Sequence, residues 1–322
     1  MPLKIMTWNA QHFDHQERAY SQAYQDKLEF LRHYLAEDDI DIIALMETGK
    51  TGNINQSLVR DLAGEYSLIA AASQEDGVKK DTTLGTMVFI KDSLADEFSC
   101  IDNYILSSTE QRGAVIIKHD TSKSGFAFYH ANSSYRAMTN IIDTVQHIQL
   151  NLTSLGLKKL CYFGGDLNTD GRYESKEIRT NISYREPNNP YARTFQSPGP
   201  SLRKLTPTGS GYTHASFKEI FVPDKKSKNL IRREEQRISA QKKLGVKKPT
   251  PKVLTLTGTV TGYTKTFRLL DFAYVDNLDY WSATCDASFH DPGGSKKPTR
   301  VSKGMTMRSD HYPVLYTYTK AL

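Results

Sequence analysis

The chain has 322 residues with 42 Lys+Arg against 36 Asp+Glu, a formal charge of +6, 38% hydrophobic residues and 10% aromatics. That composition can bury enough apolar surface to offset chain entropy, which excludes global disorder, and no apolar run reaches the roughly 18 residues of a membrane helix. Cys100, Cys161 and Cys285 are three in number and lack metal-type spacing, which excludes a disulfide framework or a zinc site built on cysteine.

The first predicted element is a strand over 3–7. It lacks the apolar core of a secretion signal, so a reducing, cytoplasmic compartment is expected, with a signal-less secreted effector as the other option. Tyr24, Leu28, Leu31 and Leu35, at three- and four-residue steps, predict an amphipathic helix over 20–35. The apolar run 40–46 reads as a strand covered on both faces. Further strands are expected at 86–90, 113–118, 126–130 and 160–163, with a helix over 137–155 between the last two. Strands in close succession between 86 and 130 predict antiparallel pairing there, and hence packed sheets with outer helices.

The stretch 181–211, rich in Pro, Asn, Ser and Gly, reads as a long irregular connection. From Phe221 to Lys252 the chain carries eleven basic and three acidic residues, a local charge of +8, and the remainder sums to −2. The cationic character therefore belongs to one segment, which predicts either a polyanion-binding surface or a solvated insertion. Leu230, Ile231, Ile238 and Leu244, followed by Gly245, place a helix over 227–244 inside it. Strands follow through 264, over 267–275 and at 313–318.

Polar residues at the ends of predicted strands stand out, because a sheet can aim them at one point. Asn9 closes Thr7-Trp8-Asn9, Glu47 closes Ala44-Leu45-Met46-Glu47, and His130 closes Phe128-Tyr129-His130. Asp166 and Asn168 lie in Gly164-Gly165-Asp166-Leu167-Asn168, Asp271 in Leu269-Leu270-Asp271-Phe272, and Asp310 and His311 in Ser309-Asp310-His311-Tyr312-Pro313-Val314. In this order the motifs resemble the endonuclease/exonuclease/phosphatase family of metal-dependent phosphodiesterases, above all its deoxyribonuclease I branch. The resemblance runs over nearly the whole chain. It implies an α/β fold, a four-layer sandwich of two packed mixed sheets flanked by helices, formed as a single domain over 1–322 with a basic insertion at about 221–252.

Phosphodiester hydrolysis needs an in-line water, neutralisation of phosphate charge and stabilisation of the leaving alkoxide. Hard carboxylate oxygens suit Mg²⁺, with Mn²⁺ as a substitute, and Glu47 and Asp310 are the candidate ligands with Asn9 beside them. Asp166 is expected to activate water. Asn9 and Asn168 are expected to donate amide N–H bonds to phosphate, and His311 to contact phosphate with Asp271 fixing its other ring nitrogen. By resemblance, His130 takes the second-histidine position near the leaving group and Arg112 a phosphate contact. Structural alternatives remain for each, and His214, in the Pro/Gly-rich region, reads as a loop residue.

Two departures mark this chain off from the deoxyribonuclease I branch. Leu84-Gly85 stands where that branch carries a glutamate supporting the second histidine, and Gly49 stands where it carries a minor-groove arginine. The expected function is a Mg²⁺-dependent DNA endonuclease leaving 5′-phosphate and 3′-hydroxyl ends, with nucleic acid as partner and no stable membrane insertion. A phosphoinositide phosphatase or sphingomyelinase-like phosphodiesterase, an abasic-site endonuclease and a catalytically silent binding module are the competing readings.

Overall fold

The computed structural model describes residues 2–11, 13, 21–48, 56–72, 85–104, 114–131, 137–168, 202–320 and 322. Arg112, Gly49 and Leu84 lie outside the described residues. In chain order the strands are β1 (Leu3–Asn9), β2 (Ile42–Met46), β3 (Tyr66–Ala72), β4 (Thr86–Lys91), β5 (Phe98–Tyr104), β6 (Ala114–His119), β7 (Ser124–Phe128), β8 (Lys159–Asp166) and β9 (Arg203–Leu205). They continue with β10 (Thr208–Gly209), β11 (His214–Pro223), β12 (Gly258–Arg268), β13 (Asp271–Val275), β14 (Trp281–Cys285), β15 (Ser288–His290), β16 (Thr299–Ser302), β17 (Met305–Thr306) and β18 (Val314–Tyr318). The helices are α1 (Gln22–Asp38), α2 (Gln56–Leu62), α3 (Ala137–Leu150) and α4 (Lys225–Lys243).

Seven strands form one sheet in the order β10-β14-β18-β1-β2-β4-β3, and six form a second in the order β5-β6-β7-β8-β13-β9. Both are mixed. β1 runs parallel to β2 and antiparallel to β18, and β7 runs parallel to β8, which in turn is antiparallel to β13. The parallel pair β7–β8 needs a crossover, and α3 supplies it. Tyr162 of β8 meets Tyr316 and Trp281 of the other sheet with ring centroids 5.1 and 5.5 Å apart, so aromatic side chains fill the space between the sheets.

Helices cover the outer faces. Ser21 caps α1, its hydroxyl accepting from the Tyr24 amide at 3.2 Å, and the helix buries Tyr24, Leu28, Phe30, Leu31, Tyr34 and Leu35 along one stripe. Phe30 packs on Trp8 of β1 with centroids 5.2 Å apart. On the other side, Ile141, Val145 and Ile148 of α3 join Ile116, Ala127, Phe163 and Tyr274 in one apolar cluster. β1, β2 and β8 are buried almost throughout because both of their faces are covered, which is why their sequences do not alternate.

The strands between 86 and 130 do pair antiparallel, but in two different sheets. β4 pairs with β2 and β3, whereas β5, β6 and β7 form a meander in the second sheet. The run 267–275 is also interrupted: the Leu270 and Asp271 amides donate to the Thr213 hydroxyl at 3.0 and 2.9 Å instead of continuing a ladder. Among the described residues no helix is long and apolar enough to cross a membrane.

The chain divides into two compact units. The larger comprises Met1–Ala215, Phe267–Ser288 and Arg300–Leu322 and contains both sheets. The smaller comprises Ser216–Thr266 and Phe289–Thr299 and contains most of a β11–β12 ribbon and α4. Asp224 caps α4, accepting from the Ser227 amide at 2.8 Å and the Thr257 hydroxyl at 2.6 Å. Arg237 is held by Glu234 and Gln241, and Lys265 pairs with Asp291. Among the described residues, Lys242, Lys243, Lys247 and Lys248 make no ion pair, and all four are exposed.

Candidate active site

Strand ends build the site, and β8 places its centre. A Cβ on Gly165 would collide with the Met46 side chain and stand 2.5 Å from the Tyr129 carbonyl oxygen, and φ there is +139°. Only glycine fits, and the close approach delivers Asp166 to the end of the strand. Beyond β7 the pairing with β8 continues, the Tyr129 amide donating to Gly164 O at 2.9 Å and the Ala131 amide to Asp166 O at 2.8 Å. His130, between them, is thereby aimed at Asp166. Across β13 the register sets Asp271 directly opposite Asp166.

Asp166 is 1% exposed and is the hub. Its Oδ2 accepts from Asn9 Nδ2 at 2.9 Å and lies 3.4 Å from His130 Nε2 and 3.6 Å from His311 Nε2. Its Oδ1 accepts from the Asn168 amide at 3.0 Å, in a tight turn where Asn168 adopts φ +48°. Burial pushes the Asp166 carboxyl above its usual range, against the charge of His311 and with the nearby Asp271 adding to the rise.

Asn9 bridges two carboxylates, its Nδ2 also donating to Glu47 Oε1 at 3.1 Å while its Oδ1 accepts from the Gln11 amide at 3.0 Å. Glu47 follows β2 with φ +57°, a left-handed conformation that turns its carboxylate toward Asn9 and places Oε1 3.6 Å from His130 Nε2. Asn168 Nδ2 donates to Ala131 O at 2.7 Å and lies 3.4 Å from Asp166 Oδ2. As folded, the amides of Asn9 and Asn168 brace carboxylates and a carbonyl, so a phosphate contact at either would exchange one of these bonds.

His311 Nδ1 meets Asp271 Oδ2 at 2.9 Å, and its Nε2 lies 3.8 Å from Asp310 Oδ1. Burial disfavours its protonated form, but the charges of Asp271 and Asp166, the bond to Asp271 and the charge of Asp310 outweigh that and raise its pKa. Backbone contacts hold the segment: Ser309 Oγ donates to Asn9 O at 2.7 Å and accepts from the His311 amide at 3.1 Å, and Trp8 Nε1 donates to His311 O at 3.0 Å. Asp310 Oδ2 lies 3.2 Å from His214 Nε2. Burial works to raise the Asp310 pKa, but the bond from His214 and the charges of His311, His214 and Arg300 hold it down at about 2.

Eight of the nine expected site residues are therefore described, and they form a connected set from Glu47 through Asn9, Asp166 and His311 to Asp310. Arg112 lies outside the described residues. The sequence reading missed His214, which pairs with His311 across a single antiparallel bridge and stacks edge-on against it with ring centroids 4.9 Å apart. Thr213 was missed as well, although its hydroxyl caps the start of β13 where Asp271 sits. Nothing in Gly211-Tyr212-Thr213-His214 marks these roles, because each depends on residues distant in the chain, Asp310 and His311 for His214 and Leu270 and Asp271 for Thr213.

The donor set fits a hard divalent cation. Four carboxylates, of Glu47, Asp166, Asp271 and Asp310, gather among imidazoles and amides, and carboxylate oxygen is the ligand that such ions prefer. Asp166, Asp271 and His311 have ligand atoms within 4.8 Å of one another, as do His214, Asp310 and His311, while Glu47 joins through Asn9.

Comparison with known proteins extends this geometry. TDP2 from Caenorhabditis elegans has a TM-score of 0.51 at 11% identity, with 99% of this chain and 75% of that chain covered. An endonuclease/exonuclease/phosphatase family protein from Bacteroides thetaiotaomicron has a TM-score of 0.50 at 12% identity, with 100% and 99% covered. The human nocturnin catalytic domain, with bound sulfate, has a TM-score of 0.48 at 12% identity, with 98% and 94% covered. No curated protein matches the sequence. The first two likenesses show the fold, and the model of the Endonuclease/Exonuclease/phosphatase family matches residues 6–311, nearly the whole chain. The chain belongs to the endonuclease/exonuclease/phosphatase family.

Proposed function

We propose that the chain is a divalent-cation-dependent endonuclease that hydrolyses phosphodiester bonds in DNA and leaves 5′-phosphate and 3′-hydroxyl ends. Family membership supports a metal-dependent phosphodiesterase. The observation that carries the finer reading is the environment of Asp166 Oδ2, a buried carboxylate oxygen with Asn9 at 2.9 Å and two histidine nitrogens at 3.4 and 3.6 Å. A carboxylate so fixed can orient a water and accept its proton, and the flanking imidazoles can contact the phosphate and protonate the leaving oxygen.

Glu47 and Asp310 would hold the cation, Mg²⁺ or Mn²⁺, which when bound neutralises phosphate charge. Asp166 takes the proton of the attacking water, with Asn9 and Asn168 keeping its two oxygens in place. Asp271 holds His311 by Nδ1, so that Nε2 is presented to the phosphate. His130, next to both Glu47 and Asp166, supplies the second imidazole. The cationic segment of the smaller unit, with Lys242, Lys243, Lys247 and Lys248 unpaired, favours a polyanionic substrate over a small phosphate ester. We further propose one family domain enlarged by that segment.

Side-by-side product analysis on plasmid, abasic duplex, RNA, sphingomyelin and phosphoinositides in Mg²⁺ tests this assignment. Plasmid products that ligase can reseal are expected. Turnover confined to a lipid, or to abasic duplex, replaces it with the corresponding alternative.

A further inference from the structure

His214, Asp310 and His311 have a second chemistry in them. Each of the three offers one ligand atom within 4.8 Å of the others, and the two oxygens of Asp310 face the two rings separately, Oδ2 at 3.2 Å from His214 Nε2 and Oδ1 at 3.8 Å from His311 Nε2. Ligand atoms around a tetrahedral ion with bonds of about 2.0–2.1 Å stand about 3.4 Å apart, so these separations bracket the value that coordination requires. His311 Nδ1 is bonded to Asp271 at 2.9 Å, which is the outer carboxylate that orients a ligating histidine and leaves Nε2 to face an ion. His311 Nε2 faces two carboxylate oxygens, Asp166 Oδ2 at 3.6 Å and Asp310 Oδ1 at 3.8 Å, so a cation taken up here replaces the proton that these carboxylates otherwise favour on that nitrogen. The side chain of His311 is 8% exposed. Among the described residues, His214 Nδ1 is buried with no hydrogen-bond partner, and the ring's hydrogen bond is the one to Asp310.

The backbone holds the two histidines in this relation. His214 and His311 are the partners of one antiparallel bridge, flanked by the Ala215 amide on Asp310 O at 2.9 Å and the Tyr312 amide on Thr213 O at 2.8 Å. Nitrogen donors select borderline ions, whereas Mg²⁺ takes oxygen. We infer that His214, Asp310 and His311 form a nitrogen-bearing site for a borderline divalent cation of the Zn²⁺ or Co²⁺ class, which competes with the hard cation of the proposed reaction. It rests on that reading in one respect, that Asp310 and His311 serve both sites. An ion held here engages the His311 nitrogen that would otherwise meet phosphate, so it inhibits.

The test is a CoCl₂ titration of the full chain freed of metal with EDTA, followed by visible absorption and calorimetry and without substrate. Wild type is expected to bind one Co²⁺ with ligand-field bands of nitrogen coordination. His214→Gln keeps a donor toward Asp310 but removes the imidazole, and is expected to weaken Co²⁺ at least tenfold while its thermal unfolding without cation stays close to wild type. Glu47→Gln is expected to keep Co²⁺ affinity within about threefold. His214→Asn replaces His214→Gln if the latter does not fold. Absence of binding by wild type at 1 mM Co²⁺, wild-type affinity in the His214 variant, or equal loss in the His214 and Glu47 variants overturns the inference. Plasmid nicking in Mg²⁺ is measured separately, so failure of the endonuclease reading shows there and not in the Co²⁺ titration.

Discussion

Asp271 Oδ2 and His311 Nδ1 meet at 2.9 Å in the buried centre of the site, forty residues apart in the chain. Despite the cost of burial, the charges around His311 raise its pKa above the ordinary value of about 6.5. A group whose folded pKa is raised contributes stability that is complete below its unfolded value and is lost as pH rises through the folded one. Urea denaturation in EDTA is therefore expected to show wild type losing stability from about pH 6.5 upward relative to Asp271→Asn. At pH 6 the variant is expected to be about 2 kcal/mol less stable, with the gap narrowing toward pH 10. A gap that is constant or widens with pH contradicts this account of the pair.

Gly165 is held at φ +139° between Met46 and the Tyr129 carbonyl. Gly165→Ala is expected to cost about 3 kcal/mol or more, combining backbone strain with overpacking, and to lower the urea midpoint. Gly211, at φ +74° with nothing within 4 Å of its Cβ position, provides the control for strain without collision. Gly211→Ala is expected to cost about 1 kcal/mol.

The three thiols differ in environment. Burial pushes the Cys161 thiol up to about 11 and the Cys285 thiol higher still, whereas Cys100 is exposed. Brief iodoacetamide treatment of the native chain at pH 8 is expected to add one carbamidomethyl group, at Cys100, and three after unfolding in urea. Rapid native labelling of Cys161 or Cys285, read by mass spectrometry, would show that those strands open readily.

In the smaller unit, Lys242, Lys243, Lys247 and Lys248 face solvent near the C-terminal end of α4. If they grip DNA, replacing all four by Ala is expected to reduce the slope of log K against log salt by about 3 to 4, since each neutralised phosphate contributes about 0.9. An unchanged slope assigns the segment to a solvated face.

Much of the larger unit was legible because its signals are local. β2 shows as an unbroken apolar run since both faces are covered, and α1 as a stripe of Leu and Tyr. Site residues at strand ends were legible for the same reason: Asn9, Glu47 and Asp166 each adjoin or close a run that reads as a strand, whereas Asp271 lay inside the run 267–275 and begins a strand only because that run is interrupted. β3 escaped because Ala70, Ala71 and Ala72 carry little strand preference, and β14 because five residues give few alternations. His214 escaped for a different reason. Its role depends on a bridge to His311, ninety-seven residues later, and on Asp310 turning toward it. The uneven charge was visible in the sequence, but not that residues 289–299 return to complete the smaller unit.

The most direct measurement is conversion of supercoiled plasmid to nicked circles in Mg²⁺, repeated in EDTA and with Asp166→Asn and His311→Ala. Wild type is expected to nick in Mg²⁺ and to stop in EDTA, and each variant to lose about 10²- to 10⁴-fold in rate with the fold intact. Nicking that persists in EDTA, or proceeds at the wild-type rate in both variants, would contradict a cation-dependent endonuclease centred on Asp166.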